Sequence, residues 1–335
     1  MKPSHPEPTS SCNLTCLVCG DFAQAEVLVA TERLFGLGGE YSYGRCPACH
    51  SLQLLNAPSD LASFYPPGYY SFAPKNASMT SSLGNFIKRC RARSVVEGKS
   101  FFGGAVRRFL SDPPRLLWMK ELGLGLDASI LDVGCGGGEL LLKLQQDGFR
   151  NLTGVDPFLD STIDYGGGLV IHKRNLAEME GTWDLVMLHH SLEHMPDPHA
   201  VFEMLQSRIK PGGKLLIRVP VADCAAWNTY GVLWVQLDAP RHLVLFSRQG
   251  LINLASAFGF VSSGVHDDST AFQFWGSELY RRDLPLREEG RQPPGWKGRF
   301  ELAEMKQWGI EADRLNAEGA GDQTVFFFAK TGPLR

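Results

Sequence analysis

The stretch Ile130-Leu-Asp-Val-Gly-Cys-Gly-Gly-Gly-Glu139 joins a short apolar run to a glycine-rich turn, and a helical pattern follows from Glu139 to Asp147. This is the strand, loop and helix at which a doubly wound sheet binds an adenosine-containing ligand, because glycines let the backbone approach it closely. A dinucleotide fingerprint would need a third glycine at position 139, where Glu139 instead sets a negative charge against a pyrophosphate. A ligand with an uncharged tail fits better. Asp132 adds a carboxylate at the strand end suited to a cationic amino or sulfonium group. Asp156 closes the next apolar run, where a carboxylate accepts ribose hydroxyls.

From about Ser129 onward, short apolar runs ended by Gly or Asp alternate with helical stretches, the pattern of an α/β chain with a Rossmann-like, doubly wound sheet. Seven strands are predicted, at Ile130–Val133, Leu152–Val155, Val170–His172, Leu185–His189, Lys214–Val219, Phe260–His266 and Thr324–Lys330. Helices are predicted at Glu139–Asp147, Pro198–Ile209 and Gln249–Phe258, the last capped by Ser247. Between the last two strands, about residues 270–322 form a long polar insert with Trp275, Trp296 and Trp308, read either as a lid or contact surface or as a solvated helical pair.

Several segments resemble class I S-adenosylmethionine-dependent methyltransferases over roughly residues 115–335. Leu131-Asp-Val-Gly-Cys-Gly-Gly-Gly138 is similar to that family's first motif and Gly154-Val-Asp156 to its ribose-binding motif. Trp183-Asp-Leu-Val-Met-Leu-His-His-Ser-Leu-Glu-His-Met-Pro-Asp197 is similar to the fourth, and Leu205 to Val219 to the turn and fifth strand after it. The resemblance implies a seven-stranded sheet with Gly134, Gly136 and Gly138 beside the methionine part of S-adenosylmethionine and Asp156 at the ribose. It puts Asn175, Leu176 and Ala177 at the adenine and His189 on the cofactor's inner wall; Asp132, Cys135 and Pro157 complete the cofactor-binding set. With no base placed beside it by the sequence, Cys135 reads as a small loop residue rather than a nucleophile.

Ahead of that region lie two cysteine pairs, Cys16-Leu-Val-Cys19 and Cys46-Pro-Ala-Cys49. Each fits a tight knuckle, and together they make a closed four-thiolate site for a structural zinc in a ribbon domain, although thiolate geometry also accommodates iron. Four unrelated buried thiols are the plain alternative; Cys12 and His50 read as bystanders. Residues 1–72 are thus a zinc ribbon with the aromatic connector Phe64-Tyr-Pro-Pro-Gly-Tyr-Tyr-Ser-Phe72, residues 73–120 a basic helical linker, and residues 121–335 the cofactor-binding domain. The ribbon adds a second resemblance, to zinc-ribbon methyltransferases acting on sugar nucleotides and polysaccharide precursors. Pro240-Arg-His-Leu-Val-Leu-Phe-Ser247 is similar to the segment where a Glu-His pair faces the sugar, with His242 at the histidine and Arg241 replacing the glutamate.

An oxygen or carbon acceptor must lose a proton, and histidine is the natural base near neutral pH. His242 and His194 are the candidates, each in a loop beyond the C-terminal sheet edge, with Glu193 orienting one of them or serving only as a helix-start charge. Tyr69, Tyr70, Tyr230 and Arg241 are candidate acceptor contacts. For the tyrosines and Trp227, packing is the plain alternative to stacking on a sugar.

The chain has 335 residues, 44% hydrophobic and 21% charged, with net charge -3, which excludes a disordered or globally nucleic-acid-binding polypeptide. No apolar run approaches the roughly 18 residues of a spanning helix, and the polar, proline-bearing start shows no signal peptide, so a cytoplasmic address is expected. Residues 75–115 carry nine basic and two acidic side chains, either a solvated face or a docking surface for an anionic partner. The reading favoured here is an enzyme transferring methyl to a sugar, sugar nucleotide or related small molecule. An RNA or protein methyltransferase using the ribbon and basic segment, a non-catalytic cofactor-binding scaffold and an NAD-dependent oxidoreductase are the alternatives.

Overall fold

The computed structural model describes residues 9–66, 71–73, 75, 82–98, 103, 111–287 and 296–331. Tyr69 and Tyr70 lie outside the described residues. In chain order the elements are β1 (Ser10–Thr15), β2 (Phe22–Glu32), β3 (Gly38–Arg45), β4 (Leu52–Leu54), α1 (Ser82–Val96), α2 (Pro114–Glu121), β5 (Ser129–Val133), α3 (Glu139–Asp147) and β6 (Asn151–Val155). They continue with β7 (Ile163–Gly166), β8 (Leu169–His172), β9 (Trp183–His189), α4 (Pro198–Arg208), β10 (Ile209–Pro220), α5 (Ala225–Tyr230) and β11 (Val244–Leu245). The last five are α6 (Arg248–Ala257), β12 (Phe260–Asp267), α7 (Phe272–Arg281), α8 (Leu302–Ala317) and β13 (Gln323–Lys330). Among the described residues no helix is long and apolar enough to cross a membrane, and none of the eight cysteines forms a disulfide.

Two compact units result, each drawn from three separate stretches of the chain. The first comprises residues 1–66, 192–202 and 218–326; the second comprises residues 67–191, 203–217 and 327–335.

In the first unit the ribbon is a five-stranded sheet of order β1-β2-β3-β4-β11. The long gap between the cysteine pairs is filled by β2 and β3, an antiparallel hairpin with Val27 opposite Gly44 and Val29 opposite Ser42. Its fifth strand is borrowed from far along the chain: Val244 pairs with Gln53 and Leu245 with Leu52, and the Leu54 N–H donates to the Leu243 carbonyl at 2.9 Å. Ser247 caps α6 as predicted, accepting from the Gly250 N–H at 3.0 Å. The insert is a helix pair rather than a free lid. Its first helix, α7, buries Gln273, Gly276, Ser277, Leu279 and Tyr280, and the Ser277 hydroxyl accepts from the Val235 N–H at 3.0 Å.

The larger sheet runs β12-β13-β10-β9-β5-β6-β8-β7, containing all seven predicted strands and an eighth, β7, antiparallel to β8 at the edge. At its centre, within the second unit, β5 pairs in parallel with β6 and β9, and β6 with β8. Ile130, Leu131 and Leu185 to Leu188 are fully buried, as strands covered on both faces must be. Helix α3 starts at Glu139 and ends at Asp147, as predicted, and buries Leu141, Leu142 and Leu144, each removal from water contributing about 1.5–3 kcal/mol. The parallel register sets Val133 beside Val155 and Leu188, and Val155 beside His172. Everything following those residues therefore emerges along one sheet edge, the edge at which doubly wound folds bind ligands.

Candidate cofactor cradle, histidine cluster and metal centre

In the second unit, the loop after β5 turns back so that the Gly136 N–H reaches the Asp156 carboxylate at 2.8 Å. The other Asp156 oxygen accepts from the Phe158 N–H at 2.9 Å. These bonds fix the carboxylate at the strand end, the position at which a doubly wound sheet meets a ribose. Gly136 adopts φ 53°, and a Cβ there would lie 2.3 Å from the Ser71 carbonyl oxygen, so the position accepts glycine alone. That carbonyl also accepts from the Gly137 N–H, binding residues 71–73 across the loop. Cys135 is half-buried, and desolvation of its thiol, with the nearby Asp132 adding to the effect, pushes its pKa well above the usual range, in keeping with an inert loop residue.

Asp132 is buried, with one carboxylate oxygen lacking a hydrogen-bond partner. Burial first, and the neighbouring Asp156 second, push its carboxyl up to about 8. A buried acid beside a second acid is costly unless a cation joins it, so the site fits the ammonium or sulfonium of S-adenosylmethionine. His189 ends β9 on the same edge, its ring 5.1 Å from that of Trp118. Pro157 is half-buried after Asp156. Asn175 opens a short 3-10 turn after β8 in which Leu176 is buried while Asn175 and Ala177 stay exposed.

In the first unit, Glu193, His194 and His242 come together, one ligand-type atom from each lying within 4.8 Å of the others. The histidine rings stand edge to face at 4.7 Å between centroids. His242 Nδ1 bonds the Gln236 carbonyl at 2.8 Å and His194 Nδ1 bonds the Arg241 carbonyl at 2.9 Å. A carbonyl only accepts, so both Nδ1 atoms carry hydrogen, which assigns Nε2 as the nitrogen of each ring that can take a proton. Burial first, and His194 second, lower the His242 pKa to about 4 and keep that ring neutral. His194 is only half-buried, which makes it the more accessible proton acceptor.

Arg241 is a correction to the sequence reading. Its guanidinium is fully buried and committed to Glu32 (2.7 Å) and Asp238 (2.6 Å), with the Phe64 carbonyl as a further acceptor, so it presents no charge to an acceptor molecule. Tyr230 is buried too, its hydroxyl bonded to Glu278 at 3.1 Å and its ring under Arg281, which leaves packing as its role. Three residues missed from the sequence hold the histidines. The Tyr43 hydroxyl donates to the His242 carbonyl at 2.8 Å, Asp238 anchors Arg241, and the Tyr65 hydroxyl lies 3.2 Å from His194 Nδ1. The aromatic connector pointed to Tyr65's neighbourhood; a buried charge pair 209 residues apart left no local signal.

The four ribbon cysteines gather as expected, their sulfurs all within 4.8 Å and the pairs Cys16–Cys49 and Cys19–Cys46 at 3.6 and 3.7 Å. Thiolates held tetrahedrally at about 2.3 Å from one ion stand about 3.8 Å apart, so the set fits zinc. The knuckles match: Gly20 N–H bonds the Cys16 carbonyl and His50 N–H the Cys46 carbonyl, both at 2.9 Å, with φ of 77° and 62°. The Val18 and Cys49 N–H groups point at the Cys16 and Cys46 sulfurs, donors that favour thiolates.

A methyltransferase-domain family model matches residues 102–262. Among curated proteins, the chain is similar to the ubiquinone biosynthesis O-methyltransferases of Pseudomonas aeruginosa, 32% identical over 117 residues, which are 32% of this chain and 50% of that protein. The corresponding protein of Bordetella avium is 34% identical over 114 residues, which are 30% of this chain and 47% of its own. The chain thus spans about half the length of the curated relatives it matches. Among solved structures, a Burkholderia thailandensis 1,6-didemethyltoxoflavin-N1-methyltransferase with bound S-adenosylhomocysteine is 15% identical, covering 88% of this chain and 98% of that one at a TM-score of 0.40. An S-adenosylmethionine-dependent methyltransferase from Mesorhizobium loti is 13% identical, covering 61% and 91% at a TM-score of 0.37. The methyltransferase-domain match at residues 102–262 spans the Asp156-pinned glycine loop, and the doubly wound sheet has the architecture of Rossmann-like class I methyltransferases.

Proposed function

We propose that the protein methylates a hydroxyl of a small-molecule acceptor, a sugar or sugar nucleotide, with His194 as the base and His242 as its neutral neighbour. The observation carrying this reading is the pair of histidines whose Nδ1–H groups are tied to backbone carbonyls, which leaves each Nε2 open to take a proton. S-adenosylmethionine supplies a methyl already activated on a sulfonium, so the chain's own work is alignment, exclusion of water and removal of the acceptor proton. Asp132, Asp156 and the loop Gly134 to Gly138 are the cofactor contacts, with Asn175, Leu176 and Ala177 at the adenine and His189 on the cofactor's inner wall. Glu193 steadies the histidines. The similarity to ubiquinone biosynthesis O-methyltransferases supports an oxygen acceptor on a small molecule. The four cysteines hold a structural zinc, a role suited to the reducing cytoplasm.

Calorimetric titration with S-adenosylmethionine, S-adenosylhomocysteine and NAD, alongside Asp156→Ala, tests the cofactor. Binding of the first two that is lost in the variant supports the reading; NAD binding alone, or none, refutes it. A radiolabelled methyl screen over sugar nucleotides, phenols, RNA and protein then identifies the acceptor, and labelling of RNA or protein alone overturns the small-molecule assignment.

A further inference from the structure

Helix α1 in the second unit is built the wrong way round for a surface helix. It packs against α2 and α3 through small residues, Ala92 and Val95, which are buried. Its large apolar side chains turn outward instead: Leu83 is 67% exposed, Phe86 58% and Ile87 37%. Spaced i, i+3 and i+4, they share one face. Arg89 and Arg93 are exposed along the flank of that face.

The surrounding charge is segregated. Residues 75–115 hold nine basic and two acidic side chains, which leaves the rest of the chain with 24 basic and 34 acidic. A chain that is acidic elsewhere thus carries its basic stretch of sequence together with an exposed aliphatic and aromatic helix face. A soluble anion or RNA backbone would use the arginines but gain nothing from Leu83, Phe86 and Ile87. A surface with anionic groups above hydrocarbon uses both.

We infer that α1 docks the protein on anionic phospholipid surfaces, with Leu83, Phe86 and Ile87 inserting at the acyl boundary and Arg89 and Arg93 meeting the phosphates. This goes beyond the proposed methyl transfer and does not depend on it.

The test is co-sedimentation of the full chain with vesicles of phosphatidylcholine alone and with phosphatidylglycerol added. Binding is expected only with the anionic lipid, weakening as salt rises. At roughly fivefold per basic residue near such a surface, Arg89→Gln with Arg93→Gln lowers the partition coefficient about 25-fold. Phe86→Asp with Ile87→Asp lowers it at least as much. Ile310→Asp, on an apolar residue 63% exposed in α8, leaves it unchanged. Unchanged thermal unfolding of each variant shows that the fold survives. Equal binding to neutral and anionic vesicles, loss in Ile310→Asp, or tight RNA binding indifferent to Phe86→Asp overturns the inference.

Discussion

Glu32→Gln tests how the ribbon holds the histidine segment. Glu32 is buried at the end of β2, and its carboxylate accepts from Arg241 at 2.7 Å, from the Phe35 N–H at 3.0 Å and from the Leu37 N–H at 2.8 Å. Burial alone would lower the Arg241 pKa, but Asp238 and Glu32 more than offset it, so the guanidinium stays charged. Breaking a buried ion pair from one side costs about 3–5 kcal/mol. Arg241 keeps Asp238, which favours the lower end, while the amide now faces a donor and strands one hydrogen-bonding group at about 1 kcal/mol. The expected loss is therefore about 3–4 kcal/mol in urea unfolding of the zinc-loaded protein, followed by tryptophan fluorescence and circular dichroism. Arg241→Met alone should cost a similar amount, and the double variant much less than the sum. A loss below about 1 kcal/mol, or strict additivity, would refute a buried Glu32–Arg241 pair as the clamp.

Other outcomes follow from the same geometry. Because the folded Asp132 carboxyl is raised to about 8, above its ordinary value, its contribution to stability is present at low pH and lost as pH climbs towards 8; Asp132→Asn should flatten that slope in thermal unfolding. The same variant should weaken S-adenosylhomocysteine binding by about tenfold or more, the loss of one charge-assisted hydrogen bond, by calorimetry. Gly136→Ala should cost about 1–3 kcal/mol from backbone strain alone, and more from its contact with Ser71, seen as a lowered melting temperature. His194→Gln should reduce labelled product about 100-fold or more while cofactor affinity holds, and a parallel fall in affinity would argue against a base. Metal analysis should find one zinc per chain, and Cys46→Ser should lose both the zinc and the capped start of α6, read by hydrogen exchange at residues 248–251.

Much of the larger sheet was legible because its strands are compact apolar runs, β5 and β6 are closed by Gly134 and Asp156, and the helical patterns of α3 and α4 fall between the runs. Strand β7 escaped notice since Ile163-Asp-Tyr-Gly166 has no apolar run and pairs only at an edge. The thiolate knuckles were readable from spacing, yet the left-handed turn at His50 was not, because its counterpart Gly20 alone advertises such a conformation. Arg241 misled for a different reason. A charged residue beside a histidine reads as a site residue until its partners are known, and Glu32 and Asp238 belong to β2 and to the turn before it. The compact units also interleave in sequence, so no composition shift marks where one stops.

The borrowed fifth strand has a consequence for how the protein is made. Strand β4 leaves the ribosome early, but its partner β11 follows about 190 residues later, a wait of roughly 10–40 s at ordinary synthesis rates. During that interval the cysteine knuckles are already complete and can take metal, while Leu52 to Leu54 offer an open strand edge to any neighbouring nascent chain. Chaperone binding over residues 52–54, released once Leu245 has emerged, is the event to look for on stalled ribosomes, and chains ending before that residue should aggregate through this edge.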